Sequence, residues 1–174
     1  MYFKIMEKDN YEQIVFFQDK ETGLKGVTVI HNTKLGPSLG GSRLWDYATD
    51  EEAVIDCIRL ARGMTYKSAG AGLKLGGGKT VLIGDPKKVK NEAYFKKFGE
   101  FVERLNGNYI TAADMNTTTE DMKAINLSTN HVVGLEGKSG NPSPVTALGA
   151  FYSLKASLKH LYNDIQLVII PMLF

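Results

Sequence analysis

The residues best suited to chemistry sit in the middle of the chain, where Gly70-Ala71-Gly72-Leu73-Lys74-Leu75-Gly76-Gly77-Gly78 runs into Lys79 and Thr80. Successive glycines remove side-chain bulk and let backbone N–H groups approach a ligand. Lys67 stands twelve residues before Lys79, so two ammonium groups flank one glycine-rich turn and can converge on a single carboxylate. The plainer reading of the same residues is a tight helix-to-strand connection with Lys79 solvated. Two nucleotide readings fail on spacing. A phosphate loop ending in Gly78-Lys79-Thr80 needs glycine at position 73, which is leucine, and it must open a helix rather than a β-rich run. A dinucleotide fingerprint begun at Gly70-Ala71-Gly72 needs its third glycine at position 75, again leucine.

Asp114 is the next candidate. It follows the strand-like run Tyr109 to Ala112, and loops at sheet edges commonly project functional groups. Its plainer reading is a capping aspartate. Cys57 and His131 fall within apolar periodicities and read as core or near-core residues, and His31, His131 and His160 have no metal-ligand spacing, so no metal site is expected.

Elements must position these groups. Ile14 to Phe17 and Val27 to Ile30 read as a hairpin around Glu21-Thr22-Gly23. A loop from Asn32 to Trp45 follows, with Gly36, Pro37, Gly40 and Gly41. Thr49 and Glu52 have capping-box spacing at the start of a helix whose stripe is Val54, Ile58, Ala61 and Met64. Thr80 to Ile83 reads as a strand. Asp85 and Pro86 suit the cap and first position of a helix carrying Tyr94, Phe98, Phe101, Val102 and Leu105, which Gly107 stops. Tyr109 to Thr111 is a strand, Thr117 and Glu120 a second capping box before Met122 and Ile125, His131 to Val133 a brief strand, and Ser143-Pro144 opens a long helix. Alternating strands and helices predict a layered α/β domain, and the early hairpin makes its sheet mixed.

Composition bounds the reading. The 174 residues are 43% hydrophobic and 23% charged, as in a globular domain, which excludes disorder and fibrous classes. Scattered basic residues and a net charge of +2 argue against nucleic-acid binding. The charged N-terminus lacks the apolar core of a signal peptide, and Leu167 to Phe174, broken by Pro171, is too short to span a bilayer, so no membrane partner is expected. A lone cysteine fits a reducing cytoplasm.

Taken together, Leu39-Gly40-Gly41-Ser42-Arg43-Leu44-Trp45, Gly63-Met64-Thr65-Tyr66-Lys67, Ala71 to Thr80, Ile83-Gly84-Asp85-Pro86, Tyr109 to Met115 and Gly140 to Thr146 occur in an order that resembles the N-terminal domain of the glutamate/leucine/phenylalanine/valine dehydrogenase family, nearest its leucine or valine branch. The resemblance covers about residues 1 to 162. It implies a substrate-binding and homo-oligomerisation domain of an enzyme that reversibly deaminates a small L-amino acid to its 2-oxo acid and ammonium, with NAD as hydride acceptor bound by a following Rossmann domain. By position, Lys67 is implied to bind the substrate carboxylate, with the Gly40-Gly41 backbone and Met64 at the same site. Lys79 is implied to be the catalytic lysine, polarising the carbonyl and activating water, and Asp114 the proton shuttle. A lysine enclosed near a second cation has a lowered pKa, which suits that role.

Leu39 stands where glutamate-specific relatives carry a lysine. Burying a glutamate side chain there without a partner costs about several kcal/mol, whereas a branched aliphatic side chain gains roughly 1.5–3 kcal/mol. Leucine, valine or isoleucine is therefore expected in preference to glutamate, while phenylalanine stays open because pocket depth depends on residues outside this domain. The segment 163–174 departs from the family pattern and contains no dinucleotide fingerprint, which reads as an aberrant or truncated tail and implies that this chain alone is inactive. The competing reading is a non-catalytic amino-acid-binding or oligomerisation module.

Overall fold

The computed structural model describes residues 2–163. The described residues up to Gly140 form one compact unit and those from Asn141 onward belong to a second. The first contains, in order, α1 (Tyr2–Asp9), β1 (Gln13–Asp19), β2 (Leu24–Asn32), β3 (Ser38–Trp45), α2 (Asp50–Gly70), β4 (Gly76–Ile83), α3 (Pro86–Val89), α4 (Glu92–Glu103), β5 (Tyr109–Ala113) and α5 (Thr119–Asn126). The second holds α6 (Ser143–Tyr162), the helix expected from Ser143-Pro144, which ends at Asn163 in a left-handed conformation. The hydrophobic tail of the sequence, from residue 164 onward, lies outside the described residues.

The five strands form one sheet in the order β1-β2-β4-β3-β5. β1, β2 and β4 pair antiparallel, while β3 pairs parallel with both β4 and β5. This is the expected α/β fold with a mixed sheet. The hairpin turns where the sequence suggested, with Gly23 at φ +71° and the Asp19 carboxylate accepting from the Thr22 amide. His131 to Val133 contributes one parallel bridge, Thr111 to Val132.

Helices cover the two faces differently. On one face α2 lays Ala53, Val54, Cys57, Ile58 and Ala61 against Val27, Val29 and Val81. On the other, Tyr94, Phe95, Phe98 and Val102 of α4 and Met122 and Ile125 of α5 pack with Leu44, Leu82 and Tyr109. Of the expected stripe of α2, Val54, Ile58 and Ala61 are buried and Met64 half-buried, and most of the expected face of α4 is buried.

Four local expectations need correction. Asn32 to Trp45 is not all loop, because Ser38–Trp45 is strand β3 at the inside of the sheet. Its glycines serve close packing: a Cβ on Gly40 would sit 1.7 Å from the Gly78 carbonyl oxygen. For the same reason the glycine triplet belongs to strand β4 rather than to a loop, with a Cβ on Gly77 falling 2.1 Å from the Thr65 amide nitrogen of α2. Asp85 and Pro86 open only the single turn α3. The larger helix α4 is capped separately by Asn91, whose side chain accepts from the Tyr94 amide, and it ends at Glu103, before Gly107. The second capping box is shifted by one residue, to Thr118 and Asp121. Thr49 does cap α2 by accepting from the Glu52 amide. The N-terminal helix α1 had no counterpart in the sequence reading.

Candidate active site

Strand geometry decides which of the singled-out residues share a face. Successive side chains alternate across a sheet. Lys79 is in step with Val81, which packs beneath α2, so Lys79 lies on the α2 side. β3 and β4 keep one register from Ser38 beside Gly76 to Trp45 beside Ile83, which sets Gly41 next to Lys79. β5 continues the row, with Gly41 opposite Ala112. A Cβ on Gly41 would approach the Asp114 Cβ to 2.8 Å, placing Asp114 on the same face. Gly40 belongs to the other face, where its carbonyl accepts from the buried Tyr109 hydroxyl at 2.7 Å.

Lys79 and Asp114, far apart in sequence, therefore meet: Lys79 Nζ lies 3.1 Å from Asp114 Oδ2. The lysine side chain is 5% exposed and the aspartate 27%. Burial holds the Lys79 ammonium below its ordinary pKa even though Asp114 pulls the other way. For Asp114 burial pushes upward, but Lys79 and Arg43 outweigh it and hold the carboxyl below the usual range. The second cation beside Lys79 is Arg43.

The backbone around both groups is fixed. The Cys57 thiol of α2 lies 3.3 Å from the Lys79 carbonyl oxygen. Burial raises that thiol to about 12, so Cys57 is the core residue that its periodicity suggested. At Asp114, the amide donates to Thr117 Oγ1 at 2.8 Å, and Thr117 Oγ1 donates to the Ser42 carbonyl at 2.9 Å. Asn116, at φ +60°, donates from Nδ2 to the Leu44 carbonyl. These bonds stitch the turn to β3 and leave the Asp114 carboxylate to its ion pairs instead of a cap.

The remaining candidates lie along β3 and in the last turns of α2. Leu39 is half-buried two residues from Gly41 on the same face, about 7 Å along the strand. Its β5 neighbour is Ile110, also half-buried, which the sequence reading did not single out. Lys67 is exposed in the last turn of α2, and Met64 is half-buried one turn earlier. Between them Thr65 sits against Gly77, two residues from Lys79, so this end of α2 packs on the glycine floor formed by β4. The Thr65 hydroxyl is held by His31 Nδ1 at 2.7 Å. His131, by contrast, is half-buried 3.8 Å from Glu103. Among the described residues, no three His, Cys, Asp or Glu side chains gather as a metal site would require. No helix among them is long and apolar enough to cross a membrane.

Residues 11–131 match the model of the Glu/Leu/Phe/Val dehydrogenase family, dimerisation domain. The chain belongs to this family. Among curated members, the leucine dehydrogenase of Thermoactinomyces intermedius is 58% identical over 165 residues, covering 93% of this chain and 45% of that protein. The leucine dehydrogenase of Bacillus subtilis is 58% identical over 160 residues, covering 90% and 44%. The chain thus spans a little under half the length of the relatives it matches. The crystal structure of L-tryptophan dehydrogenase from Nostoc punctiforme superposes with a TM-score of 0.76 at 36% identity, over 96% of this chain and 47% of that one. The mixed sheet and its helices are thus an amino-acid-dehydrogenase N-terminal fold, and the glycine floor with Lys79 and Asp114 falls inside the matched family segment.

Proposed function

We propose that this chain is the substrate-binding and oligomerisation part, residues 1–162, of an NAD-dependent dehydrogenase that deaminates a branched-chain L-amino acid, leucine or valine. The observation that carries the proposal is the buried Lys79–Asp114 pair at 3.1 Å beside a glycine floor whose other end is Leu39 and Ile110. A charged end and an apolar end on one face match a zwitterionic head and an aliphatic side chain. Lys67 takes the substrate carboxylate, with the Gly40-Gly41 backbone and Met64 beside it. Asp114 holds and moves the proton of the substrate nitrogen. Lys79 as the free amine deprotonates the water that attacks the imine carbon, and as the ammonium so formed it polarises the carbonyl of the 2-oxo acid; its lowered pKa favours the free amine that the first step needs.

The described residues do not fit the cofactor. The glycine segment leads into strand β4, whereas a dinucleotide needs a strand–turn–helix whose N-terminal amides face the pyrophosphate. NAD is therefore assigned to residues outside those described. Cys57, buried and protonated, suits a reducing cytoplasm.

The test joins this chain in frame to the C-terminal part of the T. intermedius leucine dehydrogenase and follows NADH absorbance. Leucine-dependent NADH formation is expected, with kcat/KM for leucine at least about tenfold above that for glutamate. No amino-acid-dependent NADH, or a preference for glutamate, overturns the proposal.

A further inference from the structure

Arg43 links the site's charges by pairing with both Asp114 and Asp56. It lies on β3 two residues from Gly41, so it shares the face of Lys79. Its Nε donates to Asp114 Oδ2 at 3.0 Å, and its Nη1 to Asp56 Oδ2 of α2 at 2.8 Å. Asp56 also accepts from the Tyr47 hydroxyl. Side-chain exposures of 20% for Arg43 and 25% for Asp56 leave these charges half-buried. The order Asp56, Arg43, Asp114, Lys79 alternates in sign and ties α2, β3, the turn after β5, and β4 together.

We infer that Arg43, anchored by Asp56 and Tyr47, is a positioning residue that fixes the Asp114 carboxylate and divides its charge between two cations. This inference rests on the dehydrogenase reading above. Lys79 and Arg43 both hold Oδ2, so Oδ1 carries neither ion pair. A guanidinium suits the task because its rigid fork spans two carboxylates, which an ammonium cannot do with fixed geometry. Arg43 also acts on Lys79. Its positive charge disfavours the Lys79 ammonium directly, and it competes for the carboxylate that would otherwise keep Lys79 protonated. The charged and titratable groups around Asp114 are Lys79 from β4, Arg43 from β3 with Asp56 of α2 behind it, and more distantly Tyr109 of β5. Losing Arg43 therefore raises both Asp114 and Lys79, a joint displacement that a merely structural arginine does not produce.

The experiment has two arms, each on Arg43→Gln, Arg43→Lys and Asp56→Asn. In the 174-residue chain, carboxyl-carbon NMR follows the titration of Asp114, which requires no turnover. Arg43→Gln is expected to move its midpoint upward. Arg43→Lys is expected to restore much of that shift, because the charge is kept. Asp56→Asn, with the arginine intact but unanchored, gives an intermediate result and serves also if Arg43→Gln fails to fold. In the chain joined to a cofactor-binding part, Arg43→Gln is expected to lower kcat for leucine about 10- to 100-fold, as for misplacement of a reacting group by about 1 Å. KM should change less than about threefold, and the pH profile of kcat/KM should move to higher pH. An unmoved Asp114 midpoint in folded Arg43→Gln and Asp56→Asn, or an unmoved pH profile, overturns the assignment of Arg43. A parent without any leucine turnover overturns the dehydrogenase reading instead, and the NMR arm still judges the Arg43–Asp114 link.

Discussion

The two faces of β3, β4 and β5 are made from alternate residues of the same short segments, and they carry opposite chemistry. Toward α4 and α5 point Ser42, Leu44, Thr80, Leu82, Tyr109 and Thr111, nearly all fully buried. Their hydroxyls satisfy one another: Thr80 bonds Thr28 at 2.7 Å and Ser42 bonds Thr111 at 2.8 Å. Toward α2 point Gly41, Arg43, Lys79 and Asp114, where charge replaces neutral hydroxyls and Gly41 lets β3 pack close to the Asp114 turn. α2 covers β2 and β4 but leaves Leu39, Ile110 and Asp114 half-buried. One face is neutral and fully buried, while the other is buried only in part and carries the ion-paired Arg43, Lys79 and Asp114. A one-residue change of register would exchange the two sets.

Substitutions on the two faces should separate accordingly. The largest effect belongs to Lys79→Ala, expected to lower kcat about 100- to 10,000-fold, the range for losing a general base, with unchanged circular dichroism. Lys67→Ala should mainly raise KM. Comparable losses of kcat from both would place the two lysines in one role. On the neutral side Gly40→Ala forces a methyl into the Gly78 carbonyl and should destabilise the chain by about 3 kcal/mol in urea unfolding. Thr80→Val strands the buried Thr28 hydroxyl and should cost about 1–3 kcal/mol, with Asp114 titrating as before. A changed Asp114 titration would mean that the faces are not independent.

The smallest effect sharpens the charged face alone. Leu39→Lys should shift the ratio of kcat/KM for leucine over glutamate by about tenfold toward glutamate, since one unpaired charge is worth at least that much. An unchanged ratio would remove Leu39 from the substrate's side-chain end.

What was legible in the sequence follows the same division. Helix stripes such as Val54, Ile58 and Ala61 and the hairpin around Gly23 are local patterns, and the structure keeps them. The ordered motifs carried the family, and with it Lys79 and Asp114, whose meeting at 3.1 Å no spacing could show. Strand β3 and the start of β4 were hidden because glycine and proline signal loops locally, whereas here glycine answers to close neighbours across the sheet. Arg43 and Asp56 were hidden for a related reason. An arginine thirteen residues before a helical aspartate reads as two solvated charges until β3 and α2 bring them to 2.8 Å. Thr117 looked like a helix cap because its neighbour Thr118 is one, while its own hydroxyl ties the Asp114 turn to Ser42.

The pH dependence of kcat/KM for leucine, measured on the chain joined to a cofactor-binding part, tests most directly whether the buried Lys79 on the charged face is the base. Activity through the free amine rises with pH, and burial predicts an acid limb with its midpoint below the ordinary lysine value of 10.5. A midpoint at or above that value would contradict the assignment of Lys79 as a base set by burial in this face.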